Sequence, residues 1–243
     1  MSDGTTIDDA RRWLATMAGV TNLRGTHLCG ARTFLYGGRM GLRERKKSET
    51  RAALSWAAIR LIVERGADNV LVEDIAAAAG VSPRTFNNYF SSKGEAVAAR
   101  HLDRCRNFAR DLLDRPDGEP LWTAMTHAVL AQLEPGPEVT AYPRPDREQW
   151  TEGIKAMMRA PSLQAEMLRA GTLAEADIAA AVATRTGTDV ERDLYPHLVA
   201  AAVMAAQNVC QVRFIKSGGK ADMEQLLTEA LRQFAAGLPE PNA

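Results

Sequence analysis

Apolar residues recur every three or four positions along most of the chain, which is the spacing that places them on one face of an α-helix. Glycines and prolines interrupt this pattern at points where helices are expected to end or begin. The pattern predicts helices over 43–65, 94–113, 121–133, 146–159, 161–186, 193–216 and 221–236, with a proline-rich loop over 134–145. Alternation of β-branched residues is nearly absent, so we expect an all-α protein.

The segment 72–90, VEDIAAAAGVSPRTFNNYF, is typical of two short helices joined by a tight turn. Apolar residues between Ile75 and Ala79 fall at helical spacing and are expected to face a core. Gly80 follows them, and glycine tolerates the left-handed backbone that ends a helix sharply. Ser82 can then cap the second helix, which starts favourably at Pro83.

The second helix of this segment has one apolar and one polar face. Phe86, together with Tyr89 or Phe90, is expected to face the core. The outward positions are Arg84, Thr85, Asn87 and Asn88. These side chains can reach base edges and phosphates in a major groove. A hairpin packed inside a helical domain is the alternative, but it does not account for the firm cap or for this choice of polar residues.

Residues 64–97, ERGADNVLVEDIAAAAGVSPRTFNNYFSSKGEAV, resemble the DNA-binding domain of TetR-family transcriptional regulators. The run from Thr85 to Lys93 is the most specific part of the likeness. The resemblance implies an N-terminal helix-turn-helix DNA-binding domain of three helices and a C-terminal helical domain for ligand binding and dimerisation. It also implies a recognition helix over Pro83–Tyr89.

The same resemblance implies which residues contact an operator in double-stranded DNA. It places base-edge contacts at Pro83, Arg84, Thr85 and Asn87, with Asn88 beside them. It places phosphate contacts at Tyr89 and Lys93, the latter at a helix start where the dipole favours an anion. Near the start of the first helix, Lys46 and Thr50 fall at positions that face the DNA backbone.

Two positions depart from the family pattern. Leu71 stands where the family usually has Thr or Ser, and leucine can neither cap a helix nor donate to a phosphate. A missing cap costs about 1 kcal/mol if nothing replaces it. Asn87 stands where the family often has an aromatic residue. It could pair with adenine and so contribute to specificity, or it could contact phosphate.

The resemblance begins near Gly41, which sets the expected domain limits. We expect the DNA-binding domain over 41–97, the ligand-binding and dimerisation domain over 98–238, and a tail over 239–243. Residues 1–40 match no part of the family domain. This extra segment is either disordered or a misassigned start, with Met40 as the true initiator; a flexible basic arm that adds DNA affinity is the alternative.

The formal net charge of the chain is zero, yet the charges are unevenly distributed. Residues 41–115 carry 14 basic and 10 acidic side chains, whereas residues 116–243 carry 11 basic and 17 acidic ones. The basic excess therefore lies in the half that contains the helix-turn-helix, as DNA binding requires.

The predicted helix over 193–216 has an unusually large share of small side chains, because it contains many alanines. The helix over 221–236 is amphipathic. Small side chains allow helices to approach closely. We expect these last two long helices to pair with their twofold mates in a homodimer, which also suits a twofold operator. A wholly intrachain core is the alternative.

A small-molecule effector is expected among the C-terminal helices. The segment 194–238 is weakly similar to regulators proposed to sense acyl-CoA-like ligands, so an apolar or acyl-CoA-like effector is the hypothesis. Methionine adapts to such ligands. The candidate ligand-binding residues are Trp122, Met125, His127, Trp150, Met157, Met158, Met167, Met204 and Asn208. The alternative for each is an ordinary core position.

Other classes of function find little support. The four histidines lack partners at metal-ligand spacing, and no serine elbow, phosphate loop or CxxC motif is present, so neither an enzyme, a metal nor a cofactor is expected. The three cysteines predict reduced thiols, no apolar run approaches a membrane span, and we expect a cytoplasmic protein. The resulting interpretation is a ligand-responsive repressor that binds a palindromic operator as a dimer. An activator, or a ligand-independent architectural DNA-binding protein, is the alternative.

Overall fold

The computed structural model describes residues 42–142 and 146–240, and within these ranges the chain contains helices and no strands. The all-α prediction is therefore confirmed. The extra segment over residues 1–40 lies outside the described residues. The helices are α1 (Leu42–Arg65), α2 (Val72–Ala78), α3 (Pro83–Asn87), α4 (Lys93–Leu113), α5 (Leu121–Ala131), α6 (Pro137–Thr140), α7 (Arg147–Arg159), α8 (Pro161–Thr186), α9 (Leu194–Lys216) and α10 (Met223–Ala235).

The helix ends follow from the residues that the sequence pattern pointed to. Gly80 and Gly187 take left-handed backbone angles, with φ of 69° and 67°, directly after α2 and α8. Ser82 caps α3 by accepting a hydrogen bond from the Thr85 backbone N–H at 3.1 Å, and Ser92 caps α4 in the same way. These caps satisfy N–H groups that a helix start leaves without a partner.

One predicted loop contains a helix. The segment 134–145 includes α6, a single turn that begins at Pro137 and buries Val139. Proline at the first position of a helix costs no hydrogen bond, so the proline count of the segment did not exclude a short helix. Glu138 of α6 accepts a hydrogen bond from Arg100 of α4 at 2.7 Å, which fixes α6 against the long helix.

A first hydrophobic core joins the helix-turn-helix to the C-terminal helices. Leu54, Ile75 and Phe86 from α1, α2 and α3 are fully buried in it. Trp150 of α7 also lies in this core, where its ring packs against Trp56 of α1 with the centroids 5.6 Å apart. The recognition region is therefore packed directly against the helices that follow it.

A second core lies between α4, α5, α8 and α9. Phe108 and Leu112 of α4, Met125 of α5 and Val182 of α8 are buried in it. Because the first half of α4 contributes to the first core and the second half to this one, α4 is common to both.

Arg185 of α8 fixes the turn that follows α4. Its guanidinium donates hydrogen bonds to four backbone carbonyls, with distances between 2.7 and 3.3 Å, and the acceptors are Leu112, Arg115, Pro116 and Glu119. A cation at the carboxyl end of a helix also interacts favourably with the helix dipole. The proline-containing break after α4 is thus held rigidly to α8.

In the described part of the chain, α9 is the one helix long and apolar enough to span a membrane by length and composition. The prediction that no segment approaches this limit was wrong, because the alanines of α9 raise its apolar content without adding bulk. Two-fifths of the relevant window, 39%, is buried inside the protein, where α9 packs between α8 and α10. Such a core helix passes the same test, so the finding is weak evidence for a membrane.

Gly153 of α7 lies where α7 crosses α1 most closely. A β-carbon built on Gly153 would lie 2.4 Å from the Val63 carbonyl oxygen and 2.6 Å from Val63 Cγ1. We expect Gly153→Ala to lower the free energy of unfolding by about 1–3 kcal/mol through overpacking, measured by urea denaturation. Gly171→Ala in α8 is the matched control: no atom lies within 4 Å of its β-carbon, and we expect it to stabilise the protein by roughly 0.5–1 kcal/mol. Equal effects of the two substitutions would contradict the close crossing.

Candidate DNA interface and effector cavities

Helix α3 is held by aromatic side chains on its inner face. Phe86 and Phe90 are buried, and their ring centroids lie 5.7 Å apart. The predicted helix over Pro83–Tyr89 ends two residues earlier, at Asn87, and a turn follows. The outer face exposes four of the predicted DNA-contact residues, Pro83, Arg84, Asn87 and Asn88. The structure therefore brings these four together on one accessible surface.

Thr85 and Tyr89 are half-buried at the margins of this surface. The Thr85 hydroxyl lies 2.9 Å from Ser82 Oγ and shares a hydrogen bond with it. The Tyr89 ring packs near Phe90, with the centroids 6.4 Å apart. Both residues therefore stabilise α3 and the turn that follows it, and both remain partly accessible at the edge of the DNA-contact surface.

The start of α2 has a cap although Leu71 cannot provide one. The Asp74 carboxylate accepts a hydrogen bond from the Leu71 backbone N–H at 2.9 Å. This is the reciprocal half of a capping box; the other half, a bond from an N-cap side chain to an inner N–H group, is missing because Leu71 has no acceptor. The Leu71 side chain itself is 62% exposed beside the helix-turn-helix.

Lys93 lies at the start of α4, as expected, but its ammonium is turned toward the protein. Nζ donates hydrogen bonds to the carbonyl oxygens of Ala67 and Val70, the latter at 3.0 Å. Two of its three donors thus hold the connection between α1 and α2. The third donor is the part of Lys93 that remains for a phosphate.

The first turns of α1 carry the remaining predicted DNA contacts. Lys46 is exposed, and Thr50 is half-buried with its hydroxyl donating to the Lys46 carbonyl at 2.8 Å. The next residue, Arg51, stacks over Phe90 at 4.7 Å and donates to Asp103 of α4 at 3.0 Å. Arg51 therefore links the end of the recognition segment to the long helix.

Five of the nine predicted ligand residues line one open groove between α7, α8 and α9. This groove, which we call the methionine groove, has a volume of about 550 Å³. The five are Met157, Met158, Met167, Met204 and Asn208. Flexible thioether side chains fill such a space adaptably, which suits an apolar ligand.

The other four candidate residues lie elsewhere. Met125 and Trp150 are fully buried in the second and first core, so the ordinary core interpretation fits them. Trp122 stacks on Phe234 with the centroids 6.2 Å apart. His127 Nδ1 lies 2.8 Å from Glu119, whose pKa is lowered to about 2, chiefly by a hydrogen bond from Arg115.

The polar side chains at the inner end of the groove were not predicted from the sequence. His101 of α4 lines the groove together with Gln207 and Gln211 of α9. Burial, with a further contribution from Arg104, lowers the pKa of His101 to about 4, so its imidazole is neutral near pH 7. The signal of His101 and Arg104 in the sequence is weak, because both lie in a run of alternating charges that is typical of a solvated helix face.

A stripe of apolar residues on α9 is exposed over most of its length in the described chain. Its members follow one another at intervals of three or four, and they are Leu194, Leu198, Ala201, Ala205, Val209 and Val212. Leu198 is 57% exposed. The outward residues of α10 are mainly polar by contrast, including Gln225, Glu229 and Arg232. Most of the exposed apolar surface of the last two helices therefore belongs to α9.

Comparison with known proteins agrees with this architecture. Residues 56–99 match the family model of bacterial regulatory proteins of the tetR family, and residues 119–239 match the MftR C-terminal domain. The chain is 33% identical over 172 residues to the HTH-type transcriptional regulator TcmR of Streptomyces glaucescens, a match that covers 70% of this chain and 74% of that protein.

Solved structures share the fold at lower identity. A TetR-family regulator from Syntrophomonas wolfei aligns with a TM-score of 0.52 and 18% identity, over 81% of this chain and all of that one. The fatty acid degradation regulator FadR from Bacillus halodurans aligns with a TM-score of 0.51 and 13% identity, over 77% and 98%. A TetR-family regulator from Rhodococcus sp. aligns with a TM-score of 0.50 and 22% identity, over 79% of this chain and all of that one.

The helix-turn-helix, the helical C-terminal region and these matches lead to the same conclusion. Proteins with this pair of domains regulate transcription and are not enzymes, which confirms the prediction that the chain has no catalytic role. The chain belongs to the TetR family of DNA-binding transcriptional regulators.

Proposed function

We propose that the protein is a cytoplasmic repressor that binds a palindromic operator as a homodimer and releases it when a small molecule binds. The observation that carries the DNA part is the outer face of α3, where Arg84, Asn87 and Asn88 are exposed on a helix anchored by buried Phe86. Arginine pairs with guanine and asparagine with adenine in the major groove. Lys46, Thr50, Tyr89 and Lys93 contribute contacts to the DNA backbone.

The proposed effector is apolar or acyl-CoA-like and occupies the methionine groove. One wall of this groove is His101 of α4, the helix that also holds the recognition segment through the Asp103–Arg51 ion pair. A ligand that displaces α4 changes the spacing of the two α3 helices in a dimer. Such coupling between sites is typically ~1–3 kcal/mol.

Sequence-specific DNA binding is tested by an electrophoretic mobility shift assay with the DNA immediately upstream of the coding region. The assay is run at near-physiological salt with random-sequence competitor DNA. We expect specific retention by the wild-type protein. Arg84→Ala is expected to cost ~1–3 kcal/mol on the specific site and less on random DNA, because a base contact is lost. Arg192→Ala, in the exposed turn before α9, is the control and should leave both affinities unchanged. Equal losses on both DNAs would contradict the base contact.

Lys93 is expected to contribute to stability as well as to DNA binding. Lys93→Ala leaves the carbonyls of Ala67 and Val70 without their donor, so we expect the free energy of unfolding to fall by about 1–3 kcal/mol. Affinity should fall alike for all DNA sequences, and the salt dependence should decrease by about one phosphate contact. The exposed Lys46 is the comparison: Lys46→Ala should change the salt dependence with little effect on urea denaturation.

The dimer is proposed to form through α9 and α10, with the apolar stripe of α9 at its centre. Leu198→Glu places a charge in that stripe, and we expect it to convert the protein to a monomer in analytical ultracentrifugation. Operator affinity should fall with it, since a twofold site needs both halves. Gln149→Glu in the exposed first turn of α7 adds the same charge away from these two helices and serves as the control. A Leu198→Glu variant that stays dimeric would place the interface elsewhere.

A further inference from the structure

Arg104 of α4 is a cation without a counter-charge. Its Nε is enclosed and has no hydrogen-bond partner, and within the described parts of the chain no carboxylate lies within ion-pair distance of its guanidinium. Burial, and then repulsion by Arg100, lowers its pKa to about 10. Enclosing an unpaired charge costs free energy, so a fold retains one only where something else compensates.

Arg104 lines two adjoining cavities, and the smaller one shares its polar wall with the methionine groove. A small cavity of about 70 Å³ brings Arg104 together with His101, Gln207 and Gln211. The same His101 and glutamines form the inner end of the methionine groove. The small cavity therefore continues the groove inward, from methionine side chains to hydrogen-bonding groups and then to a guanidinium.

On its other side Arg104 borders a basic cavity between α1 and α4, with a volume of about 550 Å³. This cavity has six basic and four acidic residues in its wall; the basic ones are Lys47, Arg51, Arg100, Arg104, Arg106 and Arg110. The wall also contains Ser55, which is 1% exposed and whose hydroxyl has no hydrogen-bond partner among the described residues. A buried hydroxyl and a half-buried guanidinium whose enclosed Nε lacks a partner in the described chain thus face the same region.

We propose that Arg104 binds the anionic group, a carboxylate or a phosphate, of an amphipathic effector whose apolar part occupies the methionine groove. The proposal rests on the proposed function only for its consequence, the release of DNA. The neutral His101 and the two glutamines supply hydrogen bonds between the apolar and the charged ends. The order of the side chains along the cavities, apolar, then neutral polar, then cationic, matches the order of groups in such a molecule.

The test is isothermal titration of the full-length protein, without DNA, with three probes that share one chain: dodecanoate, dodecyl phosphate and dodecanol, each below its micellar concentration. We expect saturable binding of at least one anionic probe, weakened roughly tenfold to a hundredfold in Arg104→Gln, while dodecanol binding stays within twofold. The anionic probe that binds more tightly identifies the carboxylate or the phosphate as the source. Arg192→Gln is the control and should behave as the wild type.

Several outcomes would overturn the proposal: no saturable binding of either anionic probe, binding that Arg104→Gln leaves unchanged, or an equal loss for dodecanol. The last of these would indicate a damaged groove rather than a lost charge contact.

A second variant separates a binding role from a structural one. Because the cation is unpaired, Arg104→Met should raise the urea midpoint of the ligand-free protein while it weakens the anionic probes. A lower midpoint together with unchanged binding would make Arg104 a structural residue.

Failure of this inference is distinguishable from failure of the proposed function. If an anionic probe binds through Arg104 but does not release operator DNA, the anion site is supported and the proposed ligand response is contradicted. If the protein binds its operator but probe binding does not depend on Arg104, only the anion site is contradicted.

Discussion

Both hydrophobic cores depend on one continuous helix, α4. Its first turns bury Ala96 and Val97 against the helix-turn-helix, and its later turns bury Phe108 and Leu112 against α5 and α8. A helix cannot bend sharply without a proline, a glycine pair or a bulge, and α4 contains none of these in its interior. Any displacement of one end is therefore transmitted to the other as a rigid-body movement.

The contacts at the two ends of α4 differ in kind. At its carboxyl end the four hydrogen bonds from Arg185 hold the chain to α8. Nearer its start it is joined to the DNA-binding part through the Arg51–Asp103 ion pair, which is partly exposed. Exposed ion pairs contribute little to stability and exchange easily. The helix is thus held to α8 by hydrogen bonds to fixed carbonyls, and to the DNA-binding part by the first core, by Lys93 and by this ion pair.

Much of the fold could be predicted because the helix limits depend on local chemistry. Ser82, Gly80 and Gly187 act on their own neighbours, and such effects are visible in the sequence. The single turn α6 could not be predicted, because Val139 gains stability only from a core built by distant residues. The same holds for Lys93, whose position in the motif was evident but whose two carbonyl acceptors lie more than twenty residues away.

The candidate DNA surface was easier to predict than the effector site for a related reason. Arg84, Asn87 and Asn88 lie within five residues on one short helix, so the sequence alone places them together. The wall of the effector site comes from α4, α7, α8 and α9, and only its methionines and Asn208 were predicted from the sequence. Arg104 could not be predicted, because a half-buried cation and an exposed one look the same in a run of alternating charges.

An unpaired cation at the junction of the cavities gives an effector a physical means of selecting one arrangement of α4. A ligand shifts an equilibrium only by the difference between its affinities for the two states. An apolar ligand in the methionine groove contacts mainly α7, α8 and α9, so those contacts change little when α4 moves. A contact to Arg104 moves with α4 itself, and its strength depends steeply on distance because the surroundings are poorly solvated. The anionic end of an effector would therefore supply most of the difference in affinity, while the apolar end would supply most of the binding.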